Sequence, residues 1–205
     1  NSGEAEMTDK AMNLARWAAS EVGETIRFFA GVAGVWFVLV TFGFAAFHIP
    51  SESMQPTLQV GDRVLVSKFA YGYSRHSLPL GIGYMLPESL NGRILGSMPE
   101  RGDVVVVRDP DQRINLIKRV IGLPGDRIEV SNGQLYLNGD AVPRTDAEAL
   151  AYRDRDGYIV GVTRYEEALP EGPTHPIYER ADNAPLDDAG PFIVPENHVF
   201  LMGDN

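Results

Sequence analysis

The sequence predicts a mostly β domain behind one membrane-spanning helix. Three observations predict it. An uncharged apolar run lies near the N-terminus. From residue 63 on, short alternating apolar runs are punctuated by Gly- and Asn-containing turns. No long amphipathic helical period appears after the apolar run. The 205 residues suffice for one ordinary domain plus a short appendage.

The first element is 28–47, FFAGVAGVWFVLVTFGFAAF, which carries no charge. Its length matches the roughly 20 residues needed to cross a ~30 Å hydrocarbon core. It is too long for the apolar core of a cleavable signal sequence, so an uncleaved anchor over 28–48 is expected. Before it, 1–27 reads as a cytoplasmic segment with a helix capped at Thr8 or Asp9. Lys10, Arg16 and Arg27 carry a weak basic signal for that orientation.

Residues 49–205 make up the β-rich part. Arg63-Val64-Leu65-Val66 follows a turn at Gly61-Asp62, and Val104 to Val107 follow Arg101-Gly102. Ile128-Glu129-Val130 and Gln134 to Leu137 flank Asn132-Gly133, a two-residue hairpin signal, and Asn138-Gly139 adds a second turn. Phe192 to Val194 and His198 to Met202 read as two late strands. Two stretches look irregular. Residues 74–99 read as a long loop, either near the membrane or covering the core. Residues 145–190 are acidic and read as a solvated insertion.

Composition excludes several functions. Net charge is −10, which argues against nucleic-acid binding. There is no cysteine, so disulfides, thiolate catalysis and cysteine zinc sites are ruled out. His48, His76, His175 and His198 show no metal-ligand spacing, and no Gly-rich phosphate loop is present. No metal or cofactor is expected.

The chemistry gathers just past the apolar run, in Phe47-His48-Ile49-Pro50-Ser51-Glu52-Ser53-Met54-Gln55-Pro56-Thr57-Leu58. Two serines flank one residue, and prolines stiffen the chain around them. A serine nucleophile needs a base. A histidine-based triad stays open, since triads are set by geometry. A lysine serves only if burial brings its pKa toward neutral. Lys118 lies in the strand-like run Asn115-Leu116-Ile117-Lys118-Arg119-Val120-Ile121-Gly122. The local pattern leaves it open between a solvent-facing strand lysine, the commoner case, and a buried base.

Four segments in order resemble the bacterial type I signal peptidases. Residues 47–62 are similar to that family's nucleophile box and 61–72 to the box that follows. Arg101-Gly102-Asp103 with Leu116 through Asp126 looks like its lysine box, and Phe200-Leu201-Met202-Gly203-Asp204-Asn205 like the start of its last box. The resemblance implies a β-barrel catalytic domain with an inserted β-rich cap, here about 127–195, preceded by one transmembrane helix. It implies Ser53 as nucleophile and Lys118 as general base. The Ser53 N–H and the Ser51 hydroxyl would form the oxyanion hole. Phe47, Ile49, Met54, Leu58 and Ile117 would line the substrate pockets. Asp204 is expected to pair with Arg119.

The implied function is a membrane-bound serine endopeptidase that removes signal peptides from exported pre-proteins after small residues. The implied place is the bacterial inner membrane, single-pass, with the catalytic domain on the periplasmic side near the secretion translocon. Its partners would be signal peptides and the lipid bilayer, with no nucleic acid. Two alternatives accompany it: a narrow-substrate processing peptidase of the same family, and an inactive peptide-binding domain. Two departures are visible. Leu116 stands where many members carry tyrosine. The sequence stops at Asn205, inside the last box, which in the family continues to a serine that hydrogen-bonds the lysine. Weak or no activity is expected of a chain lacking it.

Overall fold

The computed structural model describes residues 2–73, 85, 96–109, 114–180 and 187–205. Helix α1 spans Ser2–Val38 and runs on through one π-helical turn, Leu39–Gly43. Strands follow as β1 Phe44–His48, β2 Arg63–Ser67, β3 Val104–Arg108, β4 Asn115–Gly122, β5 Arg127–Ser131 and β6 Gln134–Leu137. They continue as β7 Asp140–Ala141, β8 Arg144–Arg153, β9 Ile159–Ala168, β10 Thr174–Glu179, β11 Ala189–Ile193 and β12 Phe200–Met202. The chain is mostly β behind one apolar N-terminal helix, as expected.

Two compact units are present. The first holds the helix, the start of β1 and the chain just after β2. Its stretch Ser20–Gly43 has a mean hydropathy of 1.8 and is long and apolar enough to cross a membrane. At 1.5 Å per residue it measures about 36 Å. The helix differs from the expected 28–48 at both ends. Helix begins well before residue 28, and Phe44–His48 is extended, with Phe44 at φ −134°, ψ 151°. Apolar character persists there, but the backbone partner changes: β1 pairs with β2, and the Lys68 N–H donates to Gly43 O at 2.9 Å. The π-helical turn sits where the Thr41 hydroxyl donates back to Phe37 O at 2.5 Å. A helix start capped at Thr8 or Asp9 is also overturned, since helix already runs from Ser2.

The second unit contains three sheets, ordered β12-β4-β3, β11-β5-β6-β7 and β10-β9-β8. Asn132 and Gly133 both take positive φ (48° and 73°), so the β5–β6 hairpin closes through the two residues that signalled it. The core holds Ile121, Ile128, Leu135, Leu137, Val142, Leu169 and Val194. All but Ile121 fall within 127–195, so the stretch expected as an insert supplies most of this core.

The described residues of 145–190 are not irregular, and 181–186 lie outside the described residues. Most of them belong to β8, β9 and β10, an antiparallel sheet with Arg144 opposite Glu167 and Glu148 opposite Arg164. Charged residues are frequent in these strands, which is why the composition looked like loop. Arg144 Nε reaches Glu167 Oε2 at 3.0 Å. The expected loop at 74–99 lies outside the described residues, apart from 85 and 96–99.

Candidate active site

Ser53 sits in a tight turn after β1. The Gln55 N–H donates to Glu52 O at 2.9 Å and the Leu58 N–H to Met54 O at 2.8 Å. The turn's ends are closed by Ile49 N–H to Asp62 O at 2.9 Å and Gly61 N–H to Ile49 O at 3.0 Å. Met54 and Ile49 are buried and anchor it. The Ser51 and Ser53 hydroxyl oxygens lie 3.4 Å apart.

Lys118 stands in β4 opposite Val105 of β3. Burial pushes its pKa below the ordinary lysine range, against the opposing pull of the Asp204 carboxylate. Local pattern left its environment open; the structure places it in a half-buried, desolvated position.

The Ser53 main chain and the Lys118 amine both border Gly203, just past β12. A Cβ there would fall 3.0 Å from Lys118 Nζ and closer still to the Ser53 carbonyl oxygen. The backbone after β12 therefore packs between the turn and the lysine at a distance only glycine permits.

Beside this lies a buried ion pair. Arg119 Nε and Nη2 donate to Asp204 Oδ1 and Oδ2 at 2.9 and 2.7 Å, and Nη1 donates to Gly102 O at 2.8 Å. Thr57 adds its hydroxyl to Asp204 Oδ2 at 2.5 Å, tying the turn to the same carboxylate. Arg119 and Asp204 are 5% and 2% exposed, so this is a desolvated, fork-on-fork contact. The expected Arg119–Asp204 pair is present; the part of Thr57 carried no sequence signal. A second buried pair, Arg101 Nη1 to Asp126 Oδ2 at 2.9 Å, braces the far end of β4 through Ile121 O, 2.6 Å from the same nitrogen. Burial would raise the Asp126 carboxyl, but donors from Asn138, Leu123 and Arg101 outweigh it and hold the carboxyl low.

Of the expected pocket residues, Ile49 and Met54 are buried, while Phe47, Leu58 and Ile117 are half-buried. A cavity of about 590 Å³ opens beside Lys118, lined by Ile121, Val130, Phe200 and Met202 among others, and none of those five residues borders it. Sequence reasoning also missed the surroundings of Glu52. Its carboxylate accepts from the Tyr152 hydroxyl at 3.0 Å, the Arg155 N–H at 2.7 Å and Arg180 Nη2 at 2.5 Å. The one available signal was an acidic residue between two serines. Among the described residues, no group of three or more acidic or His side chains is placed to hold a metal.

Comparison with known proteins shows the family. The family described as signal peptidase, peptidase S26, matches residues 22–205. Proteins named Signal peptidase I from Rickettsia typhi and Rickettsia akari are each 36% identical over 166 residues, and that of Rickettsia prowazekii is 34% identical over the same length. These alignments cover 78% of this chain and 60% of each relative, so the chain spans less than two thirds of their length.

Proposed function

Because the chain belongs to the signal peptidase family, peptidase S26, we propose that it is a membrane-bound serine endopeptidase that removes signal peptides from exported pre-proteins after small residues. The observation that supports this reading is a desolvated Lys118 whose amine borders Gly203, as the main-chain carbonyl of Ser53 does. A neutral lysine amine is a competent base, whereas a hydrated ammonium is not.

In this reading the Lys118 amine takes the Ser53 hydroxyl proton as Oγ attacks the scissile carbonyl. The carbonyl oxygen becomes an oxyanion held by the Ser53 N–H and the Ser51 hydroxyl, donors worth ~3 kcal/mol each in related chemistry. The tetrahedral intermediate collapses, the C–N bond breaks, and Lys118 returns the proton to the leaving amine. Water then attacks the acyl-enzyme ester, giving a proton to Lys118; the bond to Ser53 Oγ breaks, Lys118 returns the proton to Oγ, and the signal peptide leaves with a new carboxylate. Phe47, Ile49, Met54, Leu58 and Ile117 wall the pockets for the small side chains, and bulk there excludes larger ones.

The anchor places 49–205 on the periplasmic face of the bacterial inner membrane, near the translocon, with 1–27 in the cytoplasm. The apolar stretch Ser20–Gly43 supports the membrane part of this reading. Within 49–205, about 127–195 forms the cap.

Cleavage of a pre-protein with an Ala-x-Ala site by the purified chain tests the reading. Ser53→Ala and Lys118→Ala should each abolish cleavage while leaving the protein folded. Normal turnover by either variant sinks the dyad.

A further inference from the structure

Glu52 immediately precedes the proposed nucleophile, yet its side chain belongs to a network on the β8–β10 sheet. Its Oε1 accepts from the Arg155 N–H, just past β8, at 2.7 Å. Its Oε2 accepts from the Tyr152 hydroxyl at 3.0 Å and from Arg180 Nη2 at 2.5 Å. The same Arg180 nitrogen donates to the Tyr152 hydroxyl, and the guanidinium lies over the Tyr152 ring, 5.8 Å from its centroid. Tyr152 in turn stacks on Tyr178 of β10, at 5.8 Å and 19° between planes.

The network also grips the main chain of Glu52. Asn205 Nδ2 donates to Glu52 O at 3.0 Å, beside the 2.9 Å bond from the Gln55 N–H. Arg180 Nε orients that amide by donating to Asn205 Oδ1 at 2.9 Å. Glu52 C=O and Ser53 N–H belong to one planar peptide group, and in a trans peptide they point opposite ways. Whatever fixes the carbonyl therefore aims the N–H.

The geometry points to Glu52, Tyr152 and Arg180 as positioning residues that aim the Ser53 N–H at the substrate oxyanion. This rests on the reading of Ser53 as nucleophile. The β8–β10 sheet then acts in catalysis without touching the reacting atoms. Burial would raise the Glu52 carboxyl, but the Arg155, Tyr152 and Arg180 donors outweigh it and hold it low, so the clamp is charged at neutral pH. The donor must be in place before charge develops, so loosening it costs kcat and leaves substrate binding intact.

The test uses the full chain in phosphatidylcholine micelles or vesicles, with Tyr152→Phe, Arg180→Ala, Glu52→Ala and Glu52→Gln. Tyr152→Phe removes one oxygen and keeps the stack. Misplacement of this kind costs about 10- to 100-fold, so kcat should fall by that factor in Glu52→Ala and Arg180→Ala with KM unchanged. Glu52→Gln, which keeps one acceptor oxygen and the side-chain shape but turns the other oxygen into an NH2 donor, should restore part of it. Glu52→Ala with Tyr152→Phe should lose no more than Glu52→Ala alone, since the two act through one contact. Hydrogen exchange gives a readout free of activity: the peptide containing Ser53 should exchange several-fold faster in the variants, with the β5–β6 hairpin unchanged. Unchanged exchange around Ser53 overturns the clamp, as does kcat within twofold of the parent, a loss confined to KM, or a loss matching the fraction unfolded at assay temperature. Ser53→Ala separates the two claims. Cleavage by that variant sinks the nucleophile assignment, whereas an inactive Ser53→Ala beside fully active clamp variants sinks the clamp alone.

Discussion

At the residue scale, the site depends on Lys118 being a poor place for a charge. Burial lowers its pKa, so the neutral base becomes available below the ordinary lysine range. Cleavage should rise with pH through that depressed value, measured as kcat/KM against pH. Lys118→Arg should be inactive at every pH, because guanidinium does not deprotonate in this range. The same shift acts on stability. Between the depressed folded value and the ordinary unfolded one, the unfolded chain binds more protons, so stability climbs with pH there. Urea titrations of Lys118→Met should lose that slope. The neighbouring Arg119 was more legible than Lys118. Its pairing with Asp204 followed from two adjacent motifs, whereas the lysine's burial depends on packing that no local pattern encodes. Removing one partner, as in Asp204→Asn, strands a buried guanidinium and should cost about 3–5 kcal/mol in a denaturant melt.

At the element scale, β4 is the central piece. β3 flanks it on one side and β12 on the other, with Lys118 opposite Val105 and Arg119 opposite both Val104 and Met202. The chain leaving β12 reaches the proposed dyad only because residue 203 lacks a Cβ. Gly203→Ala should push the Ser53 carbonyl away from Lys118 and cut kcat at least tenfold, as effects of ~1 Å misplacement do. A kinetic assay beside a thermal melt checks this: a variant that melts normally and cleaves normally would show the close approach to be unimportant. Strands with turn chemistry, such as β5 and β6 around Asn132-Gly133, were legible in the sequence. β8 to β10 were not, because Arg144, Glu148, Arg164, Glu166 and Glu167 put charges along both strands and hide the period that marks a half-buried sheet. The end of the apolar helix was misplaced for a related reason. Phe44 to His48 stay apolar, but whether they continue a helix or start a strand is decided by β2, distant in sequence.

At the scale of the whole molecule, the apolar stretch Ser20–Gly43 is long and apolar enough to cross a membrane. Val35→Arg, near its middle, should weaken insertion by roughly 2.5–3.5 kcal/mol, read as a larger fraction of chain released from membranes by alkaline carbonate. A chain that stays fully membrane-bound would place the anchor elsewhere. The contacts that complete the site join the early chain to the late. Asn205 reaches back 153 positions to the Glu52 carbonyl, and Asp204 holds Thr57. The ribosome makes the serine turn about 150 residues before Asp204 and Asn205, so the turn is without these braces until long after it has been synthesised.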